Sequence, residues 1–185
     1  MRCLERGGEN EMQPPMKNKY ANDFQTPPTA IVPLLKFIPK KWVIWECAEG
    51  KGNLTKFLRE SGYKVIGTDI KNGFDFLWYL PEEKFDCIIT NPPYSLKQQF
   101  LERCYSIGKP FGLLMPLTTL ETEKRQKLFA RYGLKILFLK NRVNFETPSG
   151  KGSGSWFASA WFTWQIPLPK SLYWEISEAE ITFDK

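Results

Sequence analysis

One segment of the sequence joins a nearly continuous apolar run to a stiff polar turn: Phe85-Asp86-Cys87-Ile88-Ile89-Thr90-Asn91-Pro92-Pro93-Tyr94. Such a run, bounded by a turn signal, is typical of a strand buried on both faces of a parallel sheet. The two prolines fix two backbone dihedrals and remove two N–H donors, and the residue before them is held extended. The segment therefore predicts a buried strand that ends in a rigid loop. In open α/β sheets, ligands bind at these carboxyl ends of strands.

Strand-like and helix-like patterns alternate on both sides of this segment. Strands are predicted at residues 42–48, 64–70, 85–90 and 111–117, with a short extended piece at 73–77, and helices at 30–38, 51–61, 96–107 and 121–132. This alternation predicts an α/β fold with a mostly parallel sheet covered by helices on both faces. Two later strands, 134–139 and 156–165, have no helix between them, so they are expected to pair as an antiparallel hairpin at one edge.

The chain of 185 residues fits one domain, and 42% hydrophobic residues allow a real core. Residues 1–20 are polar and aperiodic, which predicts a disordered tail, and residues 21–185 are predicted to form a single catalytic domain. No apolar run has the length of a membrane span, and no secretory signal begins the chain. We therefore expect a cytoplasmic protein with no membrane partner.

Residue counts exclude several classes of site. The sequence has no histidine, which excludes histidine-based triads and most zinc hydrolase sites. The four cysteines, Cys3, Cys47, Cys87 and Cys104, lack paired metal spacing, so no metal site is predicted. The net charge of +6 is compatible with a polyanionic partner, although lysine-rich faces can also serve solubility alone.

A glycine turn follows the first predicted strand, in residues 46–52 (Glu-Cys-Ala-Glu-Gly-Lys-Gly). Gly50 and Gly52 allow the backbone to approach a ligand closely. Asp69 ends the next predicted strand, where an acidic side chain can accept hydrogen bonds from both hydroxyls of a ribose. The turn lacks the Gly-Lys-Ser/Thr pattern that binds triphosphates. The sequence therefore predicts a nucleoside-like cofactor without a pyrophosphate.

The groups presented by the 91–94 turn suit methyl transfer to an amine whose lone pair is delocalised into a ring. The side-chain oxygen of Asn91 and the carbonyl of Pro92 can each accept one amino hydrogen, which favours a pyramidal, nucleophilic nitrogen. The same oxygens stabilise positive charge that grows on nitrogen during the reaction. Tyr94 is expected to stack on a base that has left its helix. The alternative is a surface turn followed by a buried tyrosine.

On these residues the chain resembles the amino-methyltransferases, specifically the adenine-N6 DNA methyltransferases of bacteria and phages, over residues 23–165. The family's Asn/Asp-Pro-Pro-Tyr/Phe motif matches residues 91–94. Its Glu-Pro-x-Ala-Gly-x-Gly cofactor loop matches the loop that begins at Glu46, with Cys47 in place of proline. The resemblance implies a Rossmann-like methyltransferase fold that binds S-adenosylmethionine and methylates the N6 amine of adenine in DNA.

The resemblance also implies roles for individual residues. The ribose acid falls on Asp69, and the adenine-contacting Asp-Phe pair falls on Asp75 and Phe76, where Asp75 would bond the adenine amine and Phe76 would cover the ring. A Thr-Pro element that contacts the methionine end of the cofactor matches Gln25-Thr26-Pro27. The late aromatic residue that packs on the flipped base falls on Phe145. The order of Thr-Pro element, glycine loop and Asn-Pro-Pro-Tyr turn resembles the gamma arrangement.

About twenty residues follow Gln165, so no separate target-recognition domain is expected, which would be a departure from the family. Sequence specificity is therefore expected to come from short loops, to come from a partner protein, or to be low. The glycine-rich loop 144–155 is expected to close over nucleic acid, with Arg142 and Lys151 contacting phosphates. The alternative is a loose connection between two strands.

DNA is the preferred target, and three alternatives stay open. RNA adenine methylation uses the same chemistry. Protein glutamine N5 methylation also fits an Asn-Pro-Pro-Tyr site, although the chain is basic and no separate release-factor-binding N-terminal domain is expected. A nucleic-acid-binding accessory subunit without activity would be expected to have lost Asn91 or the prolines, and all are present.

Overall fold

The computed structural model describes residues 26–147, 150–151 and 157–174. Its elements are α1 (Pro28–Leu35), β1 (Val43–Glu46), α2 (Asn53–Glu60), β2 (Lys64–Gly67), β3 (Cys87–Thr90), α3 (Lys97–Ile107), β4 (Phe111–Pro116), α4 (Glu123–Tyr132), β5 (Lys135–Phe138), β6 (Glu146–Thr147), β7 (Gly150–Lys151), β8 (Ser159–Trp164) and β9 (Leu172–Trp174). Short 3-10 turns occupy Ile70–Asn72, Tyr94–Leu96 and Leu117–Leu120. None of the helices in these ranges is long and apolar enough to cross a membrane.

The main sheet has seven strands in the order β2-β1-β3-β4-β8-β5-β9. β1 runs parallel to β2 and β3, and β3 runs parallel to β4. β8 is antiparallel to both β4 and β5, and β9 is parallel to β5. The predicted mostly parallel sheet and the antiparallel pairing of the two late strands are confirmed. The pair does not form the outermost edge, however, because β8 inserts between β4 and β5 and β9 lies outside β5.

Several segments differ from the sequence-based predictions, and β9 was not predicted at all. Residues 73–77 contain turns at Gly73 and at 76–77 rather than an extended strand, and the carboxylates of Asp69 and Asp75 accept hydrogen bonds from nearby backbone N–H groups. The predicted loop 144–155 contains a small antiparallel pair, β6 with β7. Helix α4 begins at Glu123 rather than at residue 121, because a 3-10 turn precedes it.

Helices cover both faces of the sheet and create two apolar cores. One core contains side chains of α1 and α2, and the other contains side chains of α3 and α4. Successive residues of a strand alternate between them, as in the pairs Ile44 and Trp45, Ile89 and Ile88, and Trp161 and Phe162. Burial on both faces is the reason that the strands read as apolar runs in the sequence.

The carboxyl ends of β1, β2, β3 and β4 lie at one edge of the sheet, because these strands are parallel. We call this edge the carboxyl edge. It carries the 46–52 loop, Asp69 and the 91–94 turn. β8 runs in the opposite direction, so its first residue, Ser159, pairs with Pro116 and also lies at this edge. The fold therefore gathers most of the predicted site into one region.

Candidate functional site

The glycine loop after β1 is held against the end of β2. The Gly50 N–H donates to Oδ2 of Asp69 at 2.8 Å, and the Glu49 N–H donates to the Thr68 carbonyl at 3.1 Å. Gly50 and Gly52 have φ angles of 58° and 80°, in the left-handed region that glycine adopts without strain. The loop thus needs glycine at both positions, and its backbone contacts Asp69 through the Gly50 N–H.

Two aspartates follow β2 and shape their own turns. Asp69 is buried, and its Oδ1 accepts a hydrogen bond from the Lys71 N–H at 2.9 Å. Asp75 is partly exposed, and its Oδ1 accepts from the Leu77 N–H at 3.0 Å. A carboxylate has about four acceptor positions, so each keeps capacity for a further donor. Each can therefore accept a hydrogen bond from a hydroxyl or amine group while it holds the local chain.

Phe76 lies in the core rather than at the surface. Its side chain is 2% exposed, and its ring stacks on Phe100 with centroids 4.6 Å apart and packs on Trp45 at 5.2 Å. This position does not fit the prediction that Phe76 covers the face of an adenine ring. The exposed large apolar side chains of the same segment, none of which the sequence reasoning selected, are those of Ile70, Phe74, Trp78 and Leu80.

Glu46 is a buried carboxyl group between the glycine loop and the 91–94 turn. Its Oε1 accepts hydrogen bonds from the Ala48 N–H at 3.0 Å and from the hydroxyl of Thr90, the last residue of β3. Burial raises the pKa of Glu46 to about 8, although these two hydrogen bonds lower it in part. The negative charges of Glu49 and Asp69 raise it further. Glu46 thus connects the two halves of the candidate site. With this raised pKa, its carboxyl group is mostly protonated at neutral pH.

The 91–94 turn follows β3 directly and stays compact. Pro92 and the side-chain oxygen of Asn91 are buried. The Leu96 N–H donates to the Pro93 carbonyl at 2.8 Å, which closes the 3-10 turn that contains Tyr94. Because prolines occupy the two middle positions, the turn has few alternative conformations. It presents the Asn91 amide at a defined place at the carboxyl edge.

Tyr94 is buried among aromatic side chains. Its ring packs edge-to-face on Phe145 at 6.3 Å and on Phe157 at 5.4 Å. Burial raises the pKa of the Tyr94 phenol well above its usual value, and the Ser159 hydroxyl lowers it in part. The structure thus places Tyr94 against Phe145, the other aromatic residue predicted to contact the base. Stacking of a base on Tyr94 requires at least one of these rings to shift.

The other predicted residues are placed as follows. Thr26 is buried and precedes α1, whose first turn begins one residue after Pro27. Arg142 is exposed on the segment that follows β5 at the carboxyl edge. Gln25 lies outside the described residues. Lys151 belongs to β7, and its side chain is likewise outside the described part.

Gly67, at the end of β2, is a residue of the site that the sequence reasoning missed. A Cβ atom at this position would overlap the Glu49 carboxylate and would lie 3.3 Å from Cγ2 of Thr55. The same carboxylate accepts a hydrogen bond from the Thr55 hydroxyl at 3.0 Å. Glu49 is therefore held behind the glycine loop, toward α2. The signal available in the sequence was a glycine at the end of a strand, where close approach of another group is common.

We expect Gly67→Ala and Thr55→Val each to lower the free energy of unfolding by about 1–2 kcal/mol, because each releases the Glu49 carboxylate from Thr55. Urea unfolding would measure this. Since both changes act through one contact, the double variant should lose little more than either single variant. A loss in the double variant equal to the sum of the two would show that Gly67 and Thr55 act independently.

The sequence matches no protein-family model and no curated protein. Among solved structures it is similar to the methyltransferase subunit of a type I restriction-modification system from Streptococcus thermophilus, with 15% identity, a TM-score of 0.56, and coverage of 83% of this chain and 47% of that one. It is also similar to a putative class I S-adenosylmethionine-dependent methyltransferase from Listeria monocytogenes, with 17% identity, a TM-score of 0.55, and coverage of 81% and 64%. The chain thus spans from about half to just under two thirds of these proteins. The likeness shows a Rossmann-like fold of the class I methyltransferase type.

Proposed function

We propose that the protein transfers a methyl group from S-adenosylmethionine to the N6 amine of adenine in DNA. The observation that carries this proposal is the buried hydrogen bond between Thr90 and Glu46, which joins the base of the 91–94 turn to the glycine loop. A loop suited to a nucleoside and a turn suited to an amine thus share the carboxyl edge. The similar fold of two methyltransferases supports the proposal.

The residues of the carboxyl edge fit the chemical groups of S-adenosylmethionine. Asp69 would accept hydrogen bonds from the ribose hydroxyls, and Asp75 would accept from the adenine amine. The open backbone of Gly50 and Gly52 allows close approach of the nucleoside. Gln25, Thr26, Pro27 and Glu46 are the residues that the resemblance assigns to the cofactor as well. A ligand with a sulfonium and an ammonium group suits a site with several carboxyl groups, and when bound it supplies an electrophilic methyl group.

The 91–94 turn would orient the target amine. The Asn91 side-chain oxygen and the Pro92 carbonyl accept its two hydrogens, which directs the nitrogen lone pair away from the ring. Both oxygens are fixed before the reaction, so they stabilise the growing positive charge on nitrogen without reorganising. Tyr94 and Phe145 would contact the base, and Arg142 and Lys151 would contact phosphates. The positively charged chain suits a polyanion, with a partner protein as one source of sequence specificity.

The function is tested by product analysis. The protein is incubated with isotopically labelled S-adenosylmethionine and, in separate reactions, with DNA, RNA and a protein extract. Mass spectrometry of digested nucleosides and peptides then identifies the methylated group. Labelled N6-methyl-2′-deoxyadenosine from DNA is expected. Label confined to RNA adenine or to glutamine side chains would assign one of the alternative substrates, and the absence of label in all three would overturn the proposal.

We expect Asp69→Ala to weaken binding of S-adenosylmethionine, or of its demethylated product, by about 1–3 kcal/mol, because hydrogen bonds to the ribose hydroxyls are lost. Isothermal titration calorimetry measures this directly. Asp86→Ala is the matched control, since Asp86 accepts a hydrogen bond from the Val43 N–H at 2.8 Å at the opposite edge of the sheet. Equal affinity in the parent protein and in Asp69→Ala would remove Asp69 from the cofactor site.

A further inference from the structure

Two cationic side chains that the proposed reaction does not use follow β3 and β4. Lys97 is the first residue of α3, directly after the 3-10 turn that contains Tyr94. Arg125 lies in the first turn of α4. β3 and β4 are paired parallel neighbours, so the two helices that follow them begin side by side at the carboxyl edge. The helices also pack on each other, with Lys124 and Glu102 joined by an ion pair of 2.9 Å.

Arg125 is a buried cation with no carboxylate partner among the described residues. Its side chain is 7% exposed, and its guanidinium donates from Nε to the Thr119 carbonyl and from Nη2 to the Thr118 carbonyl at 3.4 Å. Both acceptors are neutral carbonyls, so these two hydrogen bonds do not cancel the charge. Since guanidinium has five N–H donors in a rigid fork, these bonds leave donors for a further acceptor. Arg125 therefore holds the 3-10 turn Leu117–Leu120 that follows β4, and it places a positive charge against this turn.

Lys97 lies in the field of this charge. It is partly buried and forms no ion pair with a described residue. Burial, together with the positive charge of Arg125, lowers the pKa of Lys97, while the exposed Glu121 opposes the lowering. Burial also lowers the pKa of Arg125, and Glu121 again acts in the opposite direction. Two like charges at neighbouring helix starts are unfavourable together, and an anion between them would relieve the repulsion.

Two further groups of the same region can donate to an anion. The hydroxyl of Thr119 is fully buried and has no hydrogen-bond partner within the described residues. Thr119 is also the residue whose carbonyl accepts a hydrogen bond from Arg125. The first turn of α3 has no side-chain cap and no acidic residue, so its backbone N–H groups add partial positive charge beside Lys97. The region thus combines two cations with a buried hydroxyl and the start of a helix.

We propose that Lys97 and Arg125 form an anion subsite that binds a backbone phosphate of the nucleic acid, next to the base that is presented to Asn91. The nature of the anion rests on the proposed function. A protein that draws a base out of its stack must hold the adjoining backbone, and phosphate contacts supply that hold. Lys97 follows Tyr94 closely in the chain, so the subsite lies near enough to the 91–94 turn to take a phosphate adjoining the target nucleotide.

Salt-dependent binding of a fluorescent single-stranded oligonucleotide tests the subsite. Loss of one phosphate contact in Lys97→Ala should flatten the slope of log affinity against log salt by about 0.7. Affinity at low salt should fall roughly tenfold, because a charge-assisted hydrogen bond is lost. Lys97→Arg keeps the charge and should restore most of the slope. Lys109→Ala is the matched control, since this exposed lysine precedes β4 at the opposite edge of the sheet, and it should behave as the parent.

Arg125 is tested with two variants. Arg125→Lys should keep much of the slope, whereas Arg125→Met should flatten it as Lys97→Ala does, provided that circular dichroism shows a folded protein. If Arg125→Met does not fold, the Lys97 series decides alone. A slope in Lys97→Ala equal to that of the parent would overturn the subsite, and so would a parent protein that does not bind nucleic acid.

The binding assay separates this inference from the proposed function. It needs neither cofactor nor methylation. A parent protein that binds the oligonucleotide through Lys97 but methylates no substrate would refute the proposed reaction and support the subsite. Normal DNA methylation with an unchanged salt slope in Lys97→Ala would support the reaction and refute the subsite.

Discussion

Replacing Asn91 by alanine should lower the turnover of methyl transfer roughly 10²–10³-fold, by analogy with the loss of a single group that stabilises a charge in a transition state. The Asn91 side-chain oxygen is buried at the end of β3, so it is held in place before the substrate arrives. Without it, one amino hydrogen loses its acceptor and the growing charge on nitrogen loses a preorganised dipole. Cofactor affinity should change little, because the Asn91 amide acts mainly on the target amine.

The measurement combines single-turnover methylation with calorimetry of cofactor binding. Asn141→Ala provides the control, since Asn141 is an exposed asparagine on the segment that follows β5 at the same edge. The control should retain both turnover and affinity. Turnover in Asn91→Ala within a few-fold of the parent would show that the 91–94 turn has only a structural role. A large loss of cofactor affinity would instead place Asn91 in the cofactor site.

Stability of the ligand-free protein should fall as pH rises from about 5 to 8, because of Glu46. Burial raises the pKa of this carboxyl from 4.5 to about 8, so between these values the folded protein keeps a proton that the unfolded chain releases. The folded state therefore binds more protons, and the free energy of unfolding decreases with pH through this window. Each pKa unit corresponds to about 1.4 kcal/mol, so the free energy of unfolding can decrease by at most about 5 kcal/mol across this window.

Glu46→Gln should remove this pH dependence. The amide oxygen can still accept from the Ala48 N–H and the Thr90 hydroxyl, and the side chain cannot ionise. Urea unfolding at several pH values should show little difference from the parent near pH 5. Near pH 8 the variant should be more stable by a few kcal/mol. Glu82→Gln, at an exposed glutamate, serves as control. If the parent and Glu46→Gln curves run parallel across the range, Glu46 does not carry the proton.

The strand and turn at the centre of the site could be predicted because their signals are local. A strand buried on both faces leaves an apolar run, and two prolines end it without ambiguity. The observed strand begins slightly later, at Cys87, because the Asp86 carboxylate accepts a hydrogen bond from the Val43 N–H before the regular pairing starts. The positive φ angles of Gly50 and Gly52 likewise agree with a turn that the glycines predicted.

Aromatic residues of the site were harder to place, because a ring that binds a ligand and a ring that fills a core look alike in sequence. Phe76 is covered by Phe100 and Trp45, which come from α3 and β1. Tyr94 is buried against Phe145 and Phe157, far along the chain. In each case the position depends on contacts with distant segments. The buried tyrosine that stood as the alternative interpretation of the turn is thus observed, while its role in base contact stays a prediction.

Local chemistry therefore determined the succession of groups along the chain: a glycine loop, two aspartates, and a rigid Asn-Pro-Pro-Tyr turn, each after a strand. These follow from side-chain period, turn residues and proline geometry, which act over a few neighbouring residues. Long-range pairing and packing determined which groups meet. β8 enters between β4 and β5, Glu46 reaches Thr90, and the starts of α3 and α4 lie side by side. Such contacts depend on strand pairing and helix packing between segments far apart in the chain, which no local pattern encodes.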